Sequence, residues 1–230
     1  MKVGYQFLIL CIACSSLSGF AADNTNLNAR LNDATDVIRQ IMMTPDKAIP
    51  NGIARRATCV GVIPSVKKAA FVVGGSYGQG VVTCRTPRGW SAPVFIRLAG
   101  GSVGFQVGGQ ATDLVLVAVN DHGFQDLLRS KFKIGADAAA AAGPVGRNAA
   151  AGTDLKLNAE LLTYSRSKGL FIGVDLNGAV VSQNIDDTNA FYGGKAHHLD
   201  QILYGNVSAP MTARPFVRAV GRYFAAAHSN

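Results

Sequence analysis

The stretch "FVVGGSYGQGVV", from Phe71 to Val82, sets four glycines and a tyrosine between two runs rich in valine. A phosphate-binding glycine loop follows a strand and leads into a helix, so that backbone N–H groups and the helix dipole point at the phosphate. Here "QGVVTCR" follows, and its composition is that of a strand. We therefore interpret these glycines as positions of bending or close backbone approach within a sheet.

A second glycine-rich stretch, "GGSVGFQVGG" from Gly100 to Gly109, repeats this pattern between strand-like segments. Glycine in the same strand context twice favours sharp bends in a curled sheet. On this interpretation, replacement of a glycine by valine should lower the thermal stability of the protein at each of four positions: Gly75, Gly78, Gly101 and Gly104.

The segments around these glycines are short, rich in β-branched residues and separated by Gly, Pro or charged turns, which predicts an antiparallel meander beginning at Cys59. Further along, "DHGFQDLLRSKF" predicts a helix, and "GADAAAAAGPVGRNAAAG" predicts a close-packed strand with a tight turn at "GPVG". Two more strand regions are predicted in "LNAELLTYSRS" and "GLFIGVDLNGAVVSQ".

Helical patterns occupy both ends of the chain. Apolar residues recur at helical spacing between Asn24 and Met43, and a second short helix is predicted from Ile49 to Ala57. The tail from Asp186 onward predicts several helical pieces. The predicted fold class is α+β: a multi-stranded antiparallel, glycine-rich curled sheet with helices from the N- and C-terminal segments.

The composition predicts one domain with a basic surface. The 230 residues are 48% hydrophobic and 16% charged, which is enough apolar material for one core. The 22 Lys and Arg exceed the 14 Asp and Glu and give a net charge of +8. Such a charge favours an anionic partner. We predict that this partner is a membrane surface and not a nucleic acid. The alternative is a soluble protein whose basic charge has no binding role.

The N-terminus, "MKVGYQFLILCIACSSLSGFAADN", has the three parts of a secretory signal: a lysine, a short apolar run and a small-residue exit. We predict cleavage after Ala21, so that residues 1–21 are the signal and residues 22–230 are a single domain. The alternative is a lipoprotein lipidated on Cys14, which Cys11 disfavours because an aliphatic residue is usual at that upstream position. Both outcomes predict export to the periplasm or cell envelope.

Two cysteines remain after such cleavage, Cys59 and Cys84. Two buried thiols are the expected state, because free cysteine is among the most buried residue types. A disulfide is the alternative, which an oxidising compartment permits if the two strands bring the residues within reach.

The sequence contains no G-x-S-x-G and no H-E-x-x-H motif, and it does not contain two C-x-x-C motifs that could together form a metal site. Its four histidines offer one close pair, His197 and His198, and adjacent residues do not share a helix face. We therefore predict a protein that is not an enzyme and that uses no metal or cofactor.

Basic residues occur in pairs, including Arg55 with Arg56 and Lys67 with Lys68. Arg147 differs, because "GPVGR" presents it on a tight glycine turn beside exposed backbone N–H groups. We predict that these five residues contact anionic lipid headgroups. The alternative for each pair is a solvated end of a helix or strand.

Five segments resemble, in order and spacing, the SYLF-domain family: "FVVGGSYGQGVV", "PVFIRLAGGSVGFQVGGQATDLVLVAVN", "AAAGPVGR", "TYSRSKGLFIGVDLNGAVV" and "NAFYGG". The resemblance runs from about residue 50 to residue 204, which we take as the core of the domain. It implies a non-catalytic lipid-binding domain, on the exported bacterial branch of a family whose eukaryotic members bind phosphoinositide membranes and in some cases actin.

We therefore expect an exported protein that binds anionic phospholipid or phosphoinositide membranes through basic residues. The apolar face of the Asn24–Met43 helix is a further candidate for membrane contact, although core packing is the favoured explanation of this pattern. The alternative function is an envelope structural or assembly protein that binds a protein partner, and actin-like binding is a less favoured form of it.

Overall fold

The computed structural model describes residues 24–44, 48–70, 73–103, 108–120, 131–134, 140–145, 160–167, 170–173, 176, 178–194 and 199–225. Its helices are α1 Asn24–Met42, α2 Asn51–Arg56, α3 Ile185–Phe191, α4 Leu199–Leu203 and α5 Arg214–Tyr223, with a 3₁₀ turn at Met211–Ala213. Its strands are β1 Cys59–Ala70, β2 Val73–Thr86, β3 Gly89–Trp90, β4 Val94–Val103, β5 Gly108–Ala118, β6 Lys131–Lys133, β7 Ala140–Ala142, β8 Leu161–Ser167, β9 Leu170–Gly173 and β10 Val180–Gln183.

The ten described strands form one curled sheet in the order β6-β10-β4-β2-β1-β5-β8-β7, with β3 beside β2 and β9 beside β8. Every described strand pair is antiparallel except β7 with β8. The predicted α+β class, with a curled sheet and helices from both ends of the chain, is confirmed.

The strands after Cys59 do not form a simple meander. β1, β2 and β4 are neighbours in chain order, but β5 pairs with the other edge of β1, from Cys59 opposite Ala118 to Ala70 opposite Gly108. β1 is therefore central. Apolar side chains of β1 between Cys59 and Val66 are buried on both faces of the sheet, with Val62 in one cluster and Ile63 in the other.

Helices cover one face of the sheet. Leu31 and Ile38 of α1 pack in one buried cluster with Phe216 of α5 and with the sheet residues Val62 and Phe95. The apolar spacing that predicted α1 therefore marks the side that faces this core. On the opposite face, a second buried cluster contains residues of β1, β2, β4, β5, β6 and β10 together with Ile202 and Leu203 of α4.

The helix predicted over "DHGFQDLLRSKF" is wrong at its end, because Lys131–Lys133 form β6. Phe132 stands opposite Val181 of β10 and is buried in the second cluster. Tertiary burial of this aromatic ring outweighs the local helical pattern. The rest of that segment, residues 121–130, lies outside the described residues.

The alanine-rich segment contributes a strand, as predicted, at Ala140–Ala142. Gly143 follows it, and a Cβ at Gly143 would overlap the ring of Tyr164, so glycine lets β7 lie against β8. The predicted turn at "GPVG" extends past residue 145, outside the described residues.

Glycine also permits close approach between β1 and β2, but only along part of the hairpin. A Cβ at Gly80 would overlap the Val62 carbonyl, and one at Gly78 would lie 2.7 Å from Ile63 Cγ2. A Cβ at Gly101 would meet open space, and one at Gly75 would have its nearest neighbour at 3.9 Å. Close backbone approach is therefore confirmed at Gly78 and is not found at Gly75 or Gly101, and Gly104 lies outside the described residues.

Cys59 and Cys84 form a disulfide, which was the alternative to two buried thiols. The register places Cys59 directly opposite Cys84, with their Cα atoms 4.0 Å apart. Both residues are buried in the second cluster. The register of β1 and β2, which the sequence did not reveal, decides that the two sulfur atoms meet.

Candidate functional site

The basic residues predicted from the sequence lie in two separate places. Arg55 and Arg56 are exposed at the C-terminal end of α2, just before β1 begins at Cys59. Lys67 is exposed further along β1, about 26 Å from Cys59 at the usual rise of about 3.3 Å per residue. The backbone of Lys68 follows in β1, and Arg147 lies outside the described residues. The two predicted pairs therefore belong to different parts of the surface.

α5 carries three exposed arginines that the sequence analysis did not single out. Arg214, Arg218 and Arg222 recur every fourth residue, so they lie on one face of the helix. The other face buries Phe216 and Val220. A signal was present in the sequence, since "RPFVRAVGR" has this spacing and no acidic residue occurs after residue 200.

One guanidinium joins the ends of α2 and α5. Arg85 Nε donates to the Ala57 carbonyl at 2.9 Å, and Arg85 Nη2 donates to the Phe224 carbonyl at 2.7 Å and to the Arg55 carbonyl at 3.4 Å. The same guanidinium lies 4.7 Å from the centroid of the Trp90 ring. Burial lowers the pKa of Arg85 from its ordinary value, yet a guanidinium remains protonated in proteins. Arg85 thus brings the arginines of α2 close to the end of α5.

We call Arg55, Arg56, Arg214, Arg218 and Arg222 the arginine surface. Neither α2 nor α5 contains an acidic residue. In the part of the chain that the structure describes, none of these five guanidinium groups forms an ion pair. The positive charge of this surface is therefore free to act on an anionic partner.

A groove lies between α1 and the β1–β2 hairpin, with a volume of about 300 Å³. We call it the α1–β1 groove. Its residues come from α1 on one side and from β1 and β2 on the other: Asn26, Ala29, Arg30, Asp33, Pro64, Ser65, Lys67, Tyr77, Gly78 and Gln79. Because the α1 members recur at helical spacing, they form one stripe along the helix.

The base of the groove is held by Arg30, which is buried. Its Nη1 donates to Asp187 Oδ2 at 2.6 Å and its Nη2 donates to Gln79 Oε1 at 2.8 Å. The guanidinium also lies 5.4 Å from the centroid of the Phe95 ring. Asn184 Nδ2 donates to the same Asp187 oxygen at 2.6 Å. These contacts fix α1 against β2, β4 and α3.

The β1 wall of the groove contains a β-bulge. The pairing of β1 with both neighbours shifts between Val62 and Lys67, and Ser65 there has a φ of 51°, a conformation that costs a non-glycine residue energy. The Ser65 N–H donates to Asp113 Oδ1 at 3.0 Å, and Arg166 Nη2 contacts Asp113 Oδ2 at 2.6 Å. Contacts with β5 and β8 therefore hold Ser65 in place beside the groove.

Several groups on the groove walls have no protein partner among the described residues. The Lys67 ammonium and the Asp33 carboxylate form no ion pair there. Tyr77 is 49% exposed, which is unusual for a large aromatic side chain. The groove thus presents a cation, an anion and an aromatic ring to solvent.

The apolar face of α1 is not available to a membrane in this structure. Leu27, Leu31, Ile38 and Ile41 are all buried, so core packing accounts for the pattern and the membrane-contact interpretation of this face is not supported. Among the described helices, none is both long enough and apolar enough to cross a membrane. Within the same residues, no group of three His, Cys, Asp or Glu side chains is placed to hold a metal.

The described residues form an α+β fold that exposes an arginine surface and a polar groove. The chain belongs to the Ysc84 family, described as "Las17-binding protein actin regulator", whose family model matches residues 99–223. This span includes Arg214, Arg218 and Arg222 but not the two arginines of α2. The SYLF resemblance is confirmed.

Relatives in animals and fungi carry the family name. The chain is 33% identical over 196 residues to the SH3 domain-containing YSC84-like protein 1 of Rattus norvegicus, covering 82% of this chain and 57% of the relative. It is 33% identical over 177 residues to Protein YSC84 of Saccharomyces cerevisiae, covering 75% of this chain and 37% of the relative. The chain therefore spans about half or less of the length of these relatives.

Proposed function

We propose that this chain is a non-catalytic domain that binds anionic phospholipid or phosphoinositide membranes through the arginine surface. One observation carries the proposal: the arginine surface has five exposed arginines and no acidic residue in either helix, and Arg85 links the C-terminal end of α5 to Arg55 of α2. Three of the five were not expected from the sequence, while Lys67 and Lys68 of the original prediction lie elsewhere along β1.

The physical basis is electrostatic. A basic residue near an anionic membrane contributes about 1 kcal/mol, and the attraction falls off within a Debye length of about 8 Å at physiological salt. Arg218 and Arg222, one turn apart on α5, satisfy this range together when that face lies on the membrane. Arginine also donates two parallel hydrogen bonds to phosphate oxygens, which adds directional contacts to the charge.

The test is co-sedimentation with phosphatidylglycerol, cardiolipin, phosphoinositide and phosphatidylcholine vesicles at low and high salt. We expect binding to the first three and little to phosphatidylcholine. The double variant Arg218→Gln/Arg222→Gln should weaken binding to anionic vesicles by about 2 kcal/mol if both residues contact the surface. The matched control Lys131→Gln/Lys133→Gln removes the same charge from two exposed sites on β6, outside both the arginine surface and the α1–β1 groove, and should weaken it much less.

Equal loss in both double variants would show that net charge alone acts, without a defined surface. Equal binding to anionic and neutral vesicles would contradict the electrostatic mechanism itself. Arg147 remains a predicted headgroup contact: its replacement by Gln should reduce discrimination among anionic lipids, because a guanidinium recognises phosphate by geometry as well as by charge.

We also propose export to the periplasm or cell envelope, on the signal-like pattern of the N-terminal segment. The intact mass of the exported protein tests this proposal. A chain that begins at Ala22 supports cleavage by the ordinary secretory route. A diacylglyceryl group on Cys14 would support the lipoprotein alternative instead, and an uncleaved chain would contradict both.

A second candidate function is binding to a protein partner, which the description of the family as Las17-binding actin regulators favours. The purified chain is mixed with actin filaments and sedimented without vesicles. Pelleting that saturates with filament concentration and survives Arg218→Gln/Arg222→Gln would favour this function. Pelleting that is lost in the same variant and at high salt would instead reflect non-specific attraction between an arginine surface and an acidic filament.

A further inference from the structure

We infer that the α1–β1 groove binds the phosphoethanolamine headgroup of a phospholipid, with its phosphate at Lys67 and Ser65 and its ammonium at Asp33. This inference rests on the proposed membrane function for the source of the ligand, and it assigns a second site, separate from the arginine surface. The starting observation is that one groove carries one free cation and one free anion on different elements.

The pairing of charges selects the class of ligand. A ligand that carries only a phosphate would be attracted by Lys67 and repelled by Asp33. A purely cationic ligand would be repelled by Lys67 and attracted by Asp33. A zwitterion satisfies both groups at once. The other charged residue of the groove, Arg30, is already neutralised by Asp187 at 2.6 Å, so it does not alter this balance.

The polar groups of the groove favour a primary ammonium over a quaternary one. An ethanolammonium carries three N–H donors that the Asp33 carboxylate accepts in charge-assisted hydrogen bonds, whereas choline has no donor. The exposed ring of Tyr77 adds a cation–π surface that attracts either kind of ammonium, so the preference for the primary one comes from Asp33. The Asn26 side chain lines the α1 wall and supplies a further amide donor and acceptor.

The backbone of the β1 wall supports a binding role at this position. Among the described residues, Ser65 is the one non-glycine residue with a positive φ. Such strained backbone persists only where surrounding contacts hold it, and it is concentrated at functional sites. Asp113 of β5 accepts a hydrogen bond from the Ser65 N–H, and Arg166 of β8 in turn contacts the Asp113 carboxylate. The bulge places Ser65 on the groove, where its hydroxyl is available to a phosphate oxygen.

Contacts of Arg30 connect the elements that form the groove. Arg30 links α1 to Gln79 of β2 and to Asp187 of α3, and these contacts lie beneath the exposed residues. A volume of about 300 Å³ accommodates a glycerophosphoethanolamine headgroup while acyl chains remain outside. The site therefore binds the headgroup, while the acyl chains of the lipid remain in the bilayer.

The first experiment uses the soluble headgroup alone. The folded ¹⁵N-labelled protein is titrated with glycerophosphoethanolamine, glycerophosphocholine and glycerophosphoglycerol, and amide shifts are followed by NMR. We expect saturable shifts at Asp33, Ser65 and Lys67, with the ethanolamine compound bound about fivefold more tightly than the other two. Shifts confined to the arginine surface, or equal affinity for the three compounds, would overturn the inference.

Variants then assign the two charges. Asp33→Asn should abolish the preference for ethanolamine, and Lys67→Gln should weaken all three compounds by about fivefold. The matched control is Asp36→Asn, one turn further along α1, where the carboxylate pairs with Arg39 outside the groove. If Asp36→Asn reduces the preference as much as Asp33→Asn does, the groove is not the site.

A vesicle experiment separates the two sources of the same chemistry. Phosphatidylethanolamine is added to phosphatidylcholine vesicles that lack anionic lipid, and binding is measured for the unchanged chain, for Asp33→Asn and for Arg218→Gln/Arg222→Gln. We expect phosphatidylethanolamine to raise vesicle binding of the unchanged chain and of Arg218→Gln/Arg222→Gln, but not of Asp33→Asn. Soluble binding without this rise would overturn the phospholipid source and leave a free phosphoethanolamine compound as the ligand. Because the titration contains no membrane, its failure leaves the arginine-surface proposal untouched.

Discussion

The two ends of the central strands share one hydrogen-bonded ladder and differ in what covers it. Near the disulfide, side chains are buried in one cluster or the other: Val60 in the first, and Val82 and Val94 in the second. Further along the same strands, on β4, β2, β1 and β5, residues paired across the sheet are exposed: Ala99, Tyr77, Lys67 and Ala111. We call these the packed end and the open end.

This difference shows that backbone pairing and side-chain packing are separate requirements. Pairing continues without interruption from Gly80 opposite Ile96 to Gly75 opposite Gly101, although only the first of these pairs lies in a crowded interior. Because a hydrogen bond contributes modestly on balance and apolar burial dominates stability, the packed end should hold the fold. The open end is then available for binding.

The largest effect should come from glycine at the packed end. Gly80→Val places side-chain atoms against the Val62 carbonyl and the Ile63 backbone, neither of which moves without disturbing β1. We expect a loss of about 3 kcal/mol or more in the free energy of unfolding, measured by denaturant titration. The control is Gly101→Val, where open space should limit the change to less than about 1 kcal/mol. Similar losses in both would remove the distinction between the two ends.

The disulfide should have the next largest effect. Cys59 and Cys84 close a loop over a separation of 25 residues, which constrains the unfolded chain. Reduction should therefore lower the free energy of unfolding by about 3 kcal/mol. Denaturant titration with and without reductant measures the change, and intact mass under each condition establishes the oxidation state. No change on verified reduction would show that packing alone maintains this end.

At the border between the two ends, Arg30→Met should cost about 2 kcal/mol in the free energy of unfolding. The methionine retains apolar volume but removes the cation that neutralises Asp187, which keeps only the neutral Asn184 amide, and removes the donor to Gln79. The control is Arg39→Met on the same helix, whose ion pair with Asp36 is exposed and should change stability by less than about 0.5 kcal/mol. Thermal and denaturant unfolding measure both variants, and equal losses would contradict a structural role for the Arg30 contacts.

The smallest effect on stability should occur at the open end. Tyr77→Ala and Lys67→Gln remove exposed side chains, so each should change the free energy of unfolding by less than about 0.5 kcal/mol. The same variants should impair headgroup binding in the groove. A loss of stability above about 1 kcal/mol in either would show that the open end also supports the fold.

Particular residues show how far the sequence could lead. The periodic apolar residues of α1 predicted both its existence and its buried face, since a helix and its core contacts share one local pattern. β6 was missed because Phe132 is drawn into a strand by its pairing with Val181, a residue far along the chain. The arginine row of α5 was visible as a four-residue spacing, but the link between the end of α5 and Arg55 depends on the contacts of Arg85.

The sequence by itself determined the α+β class, the positions of the terminal helices and the family, because each of these rests on local periodicity or on contiguous motifs. Only the tertiary structure decided the pairing of Cys59 with Cys84, the crowding at Gly80 but not Gly101, and the separation of Lys67 from Arg55. The reason is physical. Strand register and strand order are set by burial of apolar side chains on both faces of the whole sheet, so residues in similar local sequences acquire different neighbours when the sheet is assembled.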